Sequence, residues 1–228
     1  MASATKVIIF DMDKTLLSCD SVELWHRFLD ERGFITQQDK QTRKQFHDEY
    51  IAGSLDIHEN FKFEFSILNR IPNNQKEKLQ NYFFENYLKS TIANKALELI
   101  SHYRKENAII ILSTSSMSFI AAPVAAFIKA DFLLATEGYV SNDEYTGQIY
   151  GLPNYKEGKK TNFYHWLSNS HILAPQVIFY TDSINDIDLL EAVDVPIAVN
   201  PDAKLRKYAE ANGWEMMNFY PIENINKK

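Results

Sequence analysis

Five short apolar runs, separated by longer amphipathic stretches, most restrict what this 228-residue chain can fold into. The runs are KVIIF at 6–10, AIIIL at 108–112, DFLLA at 131–135, VIFY at 177–180 and PIAV at 196–199. Each run is continuously apolar, which is typical of parallel strands that helices cover on both faces. The stretches between them carry helical periodicity. The pattern therefore predicts an α/β protein with a doubly wound, parallel, Rossmann-like sheet.

Residues 20–92 interrupt this rhythm with helix-like sequence and no convincing strand. The segment is too long to be a simple connection between two strands. We therefore expect an α/β core domain formed by residues 1–19 and 93–228, with an inserted helical cap domain at 20–92. A second irregularity, EGYVSNDEYTGQIYG, predicts a small hairpin at the rim of the sheet.

Charge and composition exclude several classes of partner. The formal net charge is −6, and no run of lysine or arginine indicates nucleic-acid or membrane-surface binding. No apolar run approaches the ~20 residues of a membrane span. The single cysteine and the absence of a signal-peptide pattern in MASATKVIIFD predict a cytoplasmic location. The sequence leaves the oligomeric state open.

Polar residues follow three of the predicted strands, at the ends that a parallel sheet presents to one crevice. In chain order they are Asp11, Asp13, Ser113, Thr114, Asp182, Asn185 and Asp186, and Lys159 begins the helix before the last of these strands. Two carboxylates 4 Å apart repel by ~4 kcal/mol at an effective dielectric constant of 20. A crevice with several aspartates therefore favours a bound cation.

The motifs and their order resemble the haloacid dehalogenase-like hydrolase superfamily, and within it the phosphoserine-phosphatase-like branch of subfamily IB. The motifs are DxDxT at 11–15, a hydrophobic strand that ends in a hydroxyl residue, the lysine of EGKK at 159, and DSxND at 182–186. Members of this branch carry a helical cap between the first two motifs, where residues 20–92 lie here. The resemblance covers essentially the whole chain.

The resemblance implies a phosphatase that works through an aspartyl-phosphate intermediate. Asp11 would be the nucleophile and Asp13 the general acid and base, since one carboxylate must stay charged while the other carries a proton. Phosphate contacts would come from Thr114, Ser115, Lys159 and Asn185, with Ser113 as the alternative to Thr114. Mg²⁺ would be bound by Asp11, Asp13 and Asp182, with Asp186 supporting the metal shell.

Some positions depart from the family pattern or have two interpretations. The motifs usually have an aromatic residue where this chain has Met12, a glycine or serine where it has Lys14, and a glycine where it has Thr181. The charge of Lys14 bears on substrate choice. Asp20 matches a carboxylate that contacts substrate in phosphoserine phosphatases, and it equally suits the N-cap of the helix that begins SVELW.

The resulting prediction is a Mg²⁺-dependent phosphomonoesterase for a small phosphorylated metabolite that bears an amine, such as a phosphorylated amino acid or amino alcohol. Two alternatives belong to other functional classes. One is a receiver-like phospho-acceptor switch, and the other is a non-catalytic protein that binds a phosphometabolite.

Overall fold

The computed structural model describes residues 5–221, so residues 1–4 and 222–228 of the predicted core segments lie outside the described residues. Within that range the strands are β1 (Lys6–Phe10), β2 (Ile109–Met117), β3 (Phe132–Ser141), β4 (Glu144–Tyr150), β5 (Gln176–Thr181), β6 (Val195–Val199) and β7 (Glu215–Met217). They form one sheet in the order β4-β3-β2-β1-β5-β6-β7. All neighbours are parallel except the antiparallel pair β3 and β4.

Nine α-helices occur within residues 5–221. They are α1 (Ser21–Asp30), α2 (Gln37–Ala52), α3 (Ile57–Leu68), α4 (Asn73–Phe83), α5 (Asn94–Lys105), α6 (Ser118–Phe127), α7 (Glu157–Asn169), α8 (Ile187–Leu190) and α9 (Ala203–Asn212). In this described range no helix has the length and apolar character needed to cross a membrane.

The central strand β1 is apolar throughout because both of its faces are buried. Val7 and Ile9 pack in one hydrophobic cluster, while Ile8 and Phe10 pack in a second cluster on the opposite face. Side chains of a strand alternate between faces, so a strand between two helical layers needs apolar residues at every position. The predicted doubly wound α/β fold is confirmed.

Residues 20–92 are helical, and the described chain has no strand there beyond a single bridge between Leu17 and Ile92. Side chains cap two of these helices: Asp20 accepts a hydrogen bond from the Glu23 amide at the start of α1, and Asp56 accepts from the His58 and Glu59 amides at the start of α3. The segment shares the larger hydrophobic cluster with one face of the sheet. Its treatment as a separate cap domain stays a prediction.

The predicted hairpin is confirmed, and it packs against α3. It joins β3 to β4 through Asn142 and Asp143, which both have positive φ as a tight hairpin turn requires. Tyr145 of β4 stacks on Phe65 of α3 with ring centroids 4.8 Å apart. The apolar run at 131–135 is the first half of β3 rather than a separate strand, and β7 is an edge strand that the sequence pattern did not indicate.

Candidate active site

A cavity of about 310 Å³ lies at the carboxyl ends of β1, β2 and β5. The sequence-predicted site residues that line it are Asp11, Asp13, Asp20, Ser115, Lys159, Asp182, Asn185 and Asp186. Thr114 and its alternative Ser113 lie outside this lining. The sheet topology therefore brings together residues that are as much as 175 positions apart in sequence (Asp11 to Asp186).

Lys159 links two carboxylates at the base of this cavity. Its Nζ donates to Asp11 Oδ1 at 2.8 Å and to Asp186 Oδ2 at 2.7 Å, and the residue is 1% exposed. Burial alone would lower the pKa of Lys159, but the charges of Asp11 and Asp186 outweigh it and raise the pKa. Thr181 also donates to Asp186 Oδ2, at 2.6 Å. Lys159 is thus a buried, charged ammonium held beside Asp11.

Asp13 is held by two hydrogen bonds. Its Oδ1 accepts from the Ser21 amide at 2.6 Å and its Oδ2 accepts from Ser116 Oγ at 2.7 Å. Burial and the nearby charge of Asp20 raise the pKa of Asp13 to about 6, against the lowering effect of the Ser21 and Ser116 hydrogen bonds. Asp13 therefore titrates near neutral pH in a fixed position.

Negative charge exceeds positive charge in the cavity lining. The aspartates are Asp11, Asp13, Asp20, Asp182, Asp186 and Asp202, and the lysines are Lys14, Lys159 and Lys204. Burial raises the pKa of Asp11 to about 7 although Lys159 opposes the shift, and burial together with Asp11 raises the pKa of Asp182 well above its usual value. A further cation would relieve this repulsion.

The donor set fits a hard divalent ion that is bound with few protein ligands. Among residues 5–221, no group of three or more His, Cys, Asp or Glu side chains is arranged to hold a metal. The predicted set needs only the carboxylates of Asp11 and Asp182, with the main-chain carbonyl of Asp13. Mg²⁺ is commonly bound by one or two carboxylates, with waters and substrate phosphate completing its shell. The residues present therefore fit Mg²⁺.

The end of β2 presents Ser115 and Ser116 to the site rather than Thr114. Thr114 is 1% exposed, and its Oγ1 accepts from the Ser116 amide at 3.1 Å. Ser113 Oγ accepts from the buried Asn154 Nδ2 at 3.1 Å and lies outside the lining as well. The pairing of β2 with β3 shifts register between Ser113 and Met117, and such an irregularity re-aims side chains. The geometry favours Ser115 as the phosphate contact.

Asp20 is confirmed as the N-cap of α1, and its contact with substrate stays a prediction. Its Oδ1 accepts from the Glu23 amide at 3.0 Å as an N-cap, and the side chain also lines the cavity. Burial would raise the pKa of Asp20, but the charges of Lys14 and Arg43 lower it overall. Lys14 Nζ lies 3.9 Å from Asp20 Oδ2.

Two lining tyrosines and Asp202 were missed by sequence reasoning. Tyr50 of α2 lines the cavity together with Ser183 and Asn185, so the helical segment reaches the end of β5. Tyr155 precedes α7, and neither tyrosine lies in a motif. Asp202 could have been found from the sequence, because an aspartate directly before a helical pattern is typical of an N-cap. In the structure it caps α9 by accepting hydrogen bonds from the Lys204 and Leu205 amides, each at 2.8 Å.

Comparisons with known proteins agree with this geometry. Residues 8–191 match the family model of haloacid dehalogenase-like hydrolases. A histidinol-phosphatase of Neisseria meningitidis is 31% identical over 216 residues, which cover 92% of this chain and 97% of that protein. A structure of a protein from Bordetella pertussis Tohama I has a TM-score of 0.87 at 28% identity, covering 96% of this chain and 100% of its own. A phospho-aspartyl intermediate analogue of phosphoserine phosphatase shares the fold, with a TM-score of 0.68 at 17% identity and coverage of 96% and 95%. The chain thus belongs to the haloacid dehalogenase-like hydrolase family, as a hydrolase of the phosphatase type.

Proposed function

We propose that this protein is a Mg²⁺-dependent phosphomonoesterase that hydrolyses a small phosphorylated amino acid or amino alcohol through an aspartyl-phosphate intermediate. The placement of Asp11 and Asp13 carries the proposal. Both carboxylates line one cavity, with the Lys159 ammonium 2.8 Å from Asp11 and two hydrogen bonds fixing Asp13.

In the first step a carboxylate oxygen of Asp11 attacks phosphorus, and the bond from phosphorus to the leaving oxygen breaks. Asp13, as a carboxylic acid, gives its proton to the leaving alkoxide. In the second step the Asp13 carboxylate removes a proton from water, whose oxygen attacks the phosphorus of the aspartyl phosphate. The bond to Asp11 then breaks, which releases inorganic phosphate and restores both aspartates.

Three further lining residues, Lys159, Ser115 and Asn185, hold the phosphoryl group during these steps. Lys159 stays charged and faces its oxygens, while Ser115 and Asn185 donate hydrogen bonds from the ends of β2 and β5. Asp186 keeps Lys159 in position through its 2.7 Å contact. Bound Mg²⁺, held by Asp11, Asp182 and the Asp13 carbonyl, would supply electrostatic stabilisation of the phosphoryl charge.

Relatives support an amine-bearing substrate. The Neisseria relative is named for histidinol phosphate, a phosphorylated amino alcohol, and phosphoserine phosphatases share the fold. The carboxylate of Asp20 lines the cavity, where it would meet such an amine. The small phosphorylated metabolite is the proposed partner, and the cytoplasmic location and the lack of nucleic-acid or membrane partners stay predictions.

Turnover of p-nitrophenyl phosphate with Mg²⁺ tests the proposed function. We expect steady turnover by the wild type and loss of nearly all of it in Asp11→Asn, which is close to isosteric and should fold normally. Asp188→Asn is the matched control, since Asp188 lies outside the cavity lining. An Asp11→Asn variant that keeps a tenth of the activity would refute the nucleophile assignment. A single stoichiometric phosphorylation without turnover would instead support the receiver-like switch.

A further inference from the structure

A second, smaller cavity opens from the phosphate site into the helical segment. It has a volume of about 80 Å³ and lies between α1, α2, α3 and the end of β2. The two cavities share the lining residues Asp13, Asp20, Tyr50, Ser115 and Tyr155. A phosphomonoester with its phosphate at Asp11 would therefore extend its leaving group into this second cavity, which we term the leaving-group chamber.

Unpartnered polar atoms converge on this chamber. Among residues 5–221, the buried side-chain polar atoms without a hydrogen-bond partner are Asn60 Oδ1, Glu64 Oε1 and Tyr155 OH. All three residues line the chamber. A buried polar atom without a partner destabilises a fold, so such atoms gathered at one cavity point to a ligand that completes them.

The chemistry of these atoms specifies hydrogen-bond donors on the ligand. The Glu64 carboxylate and the Asn60 amide oxygen accept only, while the Tyr155 hydroxyl both donates and accepts. Glu64 is 2% exposed, and its other oxygen is held by His26 Nε2 at 2.7 Å. The His26 contact thus holds the Glu64 carboxylate in place, and its Oε1 is left without a hydrogen-bond partner in the chamber lining.

The charges argue against a carboxylate on the ligand. Arg43 lies 3.9 Å from Glu64 Oε1 and 4.0 Å from Asp20 Oδ1, so its charge is already matched by two carboxylates. The chamber is lined by the carboxylates of Asp13, Asp20 and Glu64 against the guanidinium of Arg43 and the imidazole of His47, so a ligand carboxylate would add to an excess of carboxylates and be repelled. A cationic or N–H-bearing group would complement them.

We infer that the leaving-group chamber recognises the N–H groups of a phosphorylated amino alcohol without a carboxylate, with Glu64 and Asn60 as its specificity-determining residues. This inference rests on the proposed function. The chamber is about half the ~150 Å³ of a cavity that takes a benzene molecule, so the far end of the leaving group is small, such as a five-membered N–H heterocycle or a short amine.

Three phosphomonoesters test the inference. L-histidinol phosphate has an imidazole N–H and an amine, O-phospho-L-serine has an amine and a carboxylate, and 2-cyclopentylethyl phosphate has a five-membered ring without N–H groups. We expect wild-type kcat/KM for histidinol phosphate to exceed both others by at least about tenfold, the value of one hydrogen bond to a charged group. Glu64→Gln should lower the ratio of kcat/KM for histidinol phosphate to that for 2-cyclopentylethyl phosphate by about 10- to 100-fold.

Two further variants make the test specific. Asn60→Ala removes an oxygen that has no partner within the described chain, so it should fold normally and still lower the ratio by about tenfold. Glu59→Gln is the matched control, because Glu59 is exposed on the same helix and should leave the ratio unchanged. Unchanged ratios in Glu64→Gln and Asn60→Ala would show a chamber that holds only solvent and would overturn the inference.

The outcomes separate the inference from the proposed function. A wild type that hydrolyses p-nitrophenyl phosphate but prefers phosphoserine or 2-cyclopentylethyl phosphate over histidinol phosphate overturns the inference alone. If no phosphomonoester is hydrolysed, the proposed function fails, and a chemical-shift titration with histidinol still tests the chamber. Shifts of the Asn60 side-chain amide that disappear in Glu64→Gln support the inference, and their absence in the wild type refutes it.

Discussion

Replacing Lys159 by methionine should destabilise the fold strongly, because it leaves two buried carboxylates without their common partner. Removing one member of a buried ion pair costs ~3–5 kcal/mol. Here Asp11 and Asp186 lose the same ammonium, at 2.8 and 2.7 Å, while Thr181 still donates to Asp186. We therefore expect a loss of about 4 kcal/mol in the free energy of unfolding, a large share of the ~5–15 kcal/mol of a typical domain.

Urea unfolding in EDTA measures this loss without compensation by a metal. With an m-value of about 3 kcal/mol/M for a chain of this size, the midpoint should fall by about 1–1.5 M. Far-UV circular dichroism and tryptophan fluorescence should give the same transition, which tests the two-state assumption. Lys160→Met is the matched control within the same lysine pair, and it should change stability by no more than about 0.5 kcal/mol.

A double variant tests whether unpaired charge causes the loss. Adding Asp186→Asn to Lys159→Met removes one of the two orphaned carboxylates and should restore at least about 1 kcal/mol, a typical coupling energy for residues in contact. Strictly additive losses, or a Lys159→Met loss below about 1 kcal/mol, would refute the reasoning that Lys159 neutralises a buried acidic pair.

The remaining predictions concern the metal, the acid and the support of β2. EDTA should abolish hydrolysis of p-nitrophenyl phosphate, with Mg²⁺ restoring it and Ca²⁺ doing so poorly because its coordination is larger and looser; full activity in metal-free buffer would contradict the metal site. Asp13→Asn should slow single-turnover phosphorylation more with alkyl phosphates than with p-nitrophenyl phosphate, and equal losses would remove Asp13 from the general-acid role. Asn154→Ala deletes donors to Ser113 Oγ and to the carbonyls of Thr114 and Leu134, so thermal or urea unfolding should show a loss of ~2–4 kcal/mol, while a loss below ~1 kcal/mol would contradict a structural role.

The chemistry at the sheet edge was predictable because topology dictates it. Continuous apolar runs indicate parallel strands, and parallel strands place their carboxyl ends together, so Asp11 and Asp182 had to meet. Lys159 follows the same logic, since α7 returns the chain to the amino end of β5 and its first turn lies above the carboxyl ends. No packing detail was needed for these positions.

The hydroxyl at the end of β2 was not predictable in the same way. Side chains of a strand alternate between faces, so one irregularity changes which residue faces the crevice. The register of β2 against β3 shifts between Ser113 and Met117, and Ser115 lines the cavity while Thr114 is buried. The run STSS offers a hydroxyl at each position, so residue type gave no help in choosing among them.

The position of Glu64 within the apolar stripe of α3 is unusual for a carboxylate, but only the packing shows why it is there. The buried face of α3 consists of Phe61, Glu64, Phe65 and Leu68, at the spacing of one apolar helical stripe, with Ile67 beside it. A carboxylate in such a stripe is costly to bury unless something on the inner side pairs with it. His26 pairs with one oxygen, and the other has Arg43 at 3.9 Å but no hydrogen-bond partner in the leaving-group chamber.

The packing of the hairpin on α3 holds this helix, and with it Glu64, at a fixed distance from the sheet. Asn69, at the end of α3, donates to the Tyr145 carbonyl at 2.7 Å and accepts from the Tyr145 amide at 3.0 Å. A side chain on Gly138 would collide with Phe65 and Tyr145, so β3 and α3 approach closely there. The hairpin extends from the same sheet that ends in Ser115 and Ser116, which ties α3 to the strand that lines both cavities. In the proposed mechanism the sheet edge supplies the reaction chemistry, and the hairpin fixes the helix that we infer to select the leaving group.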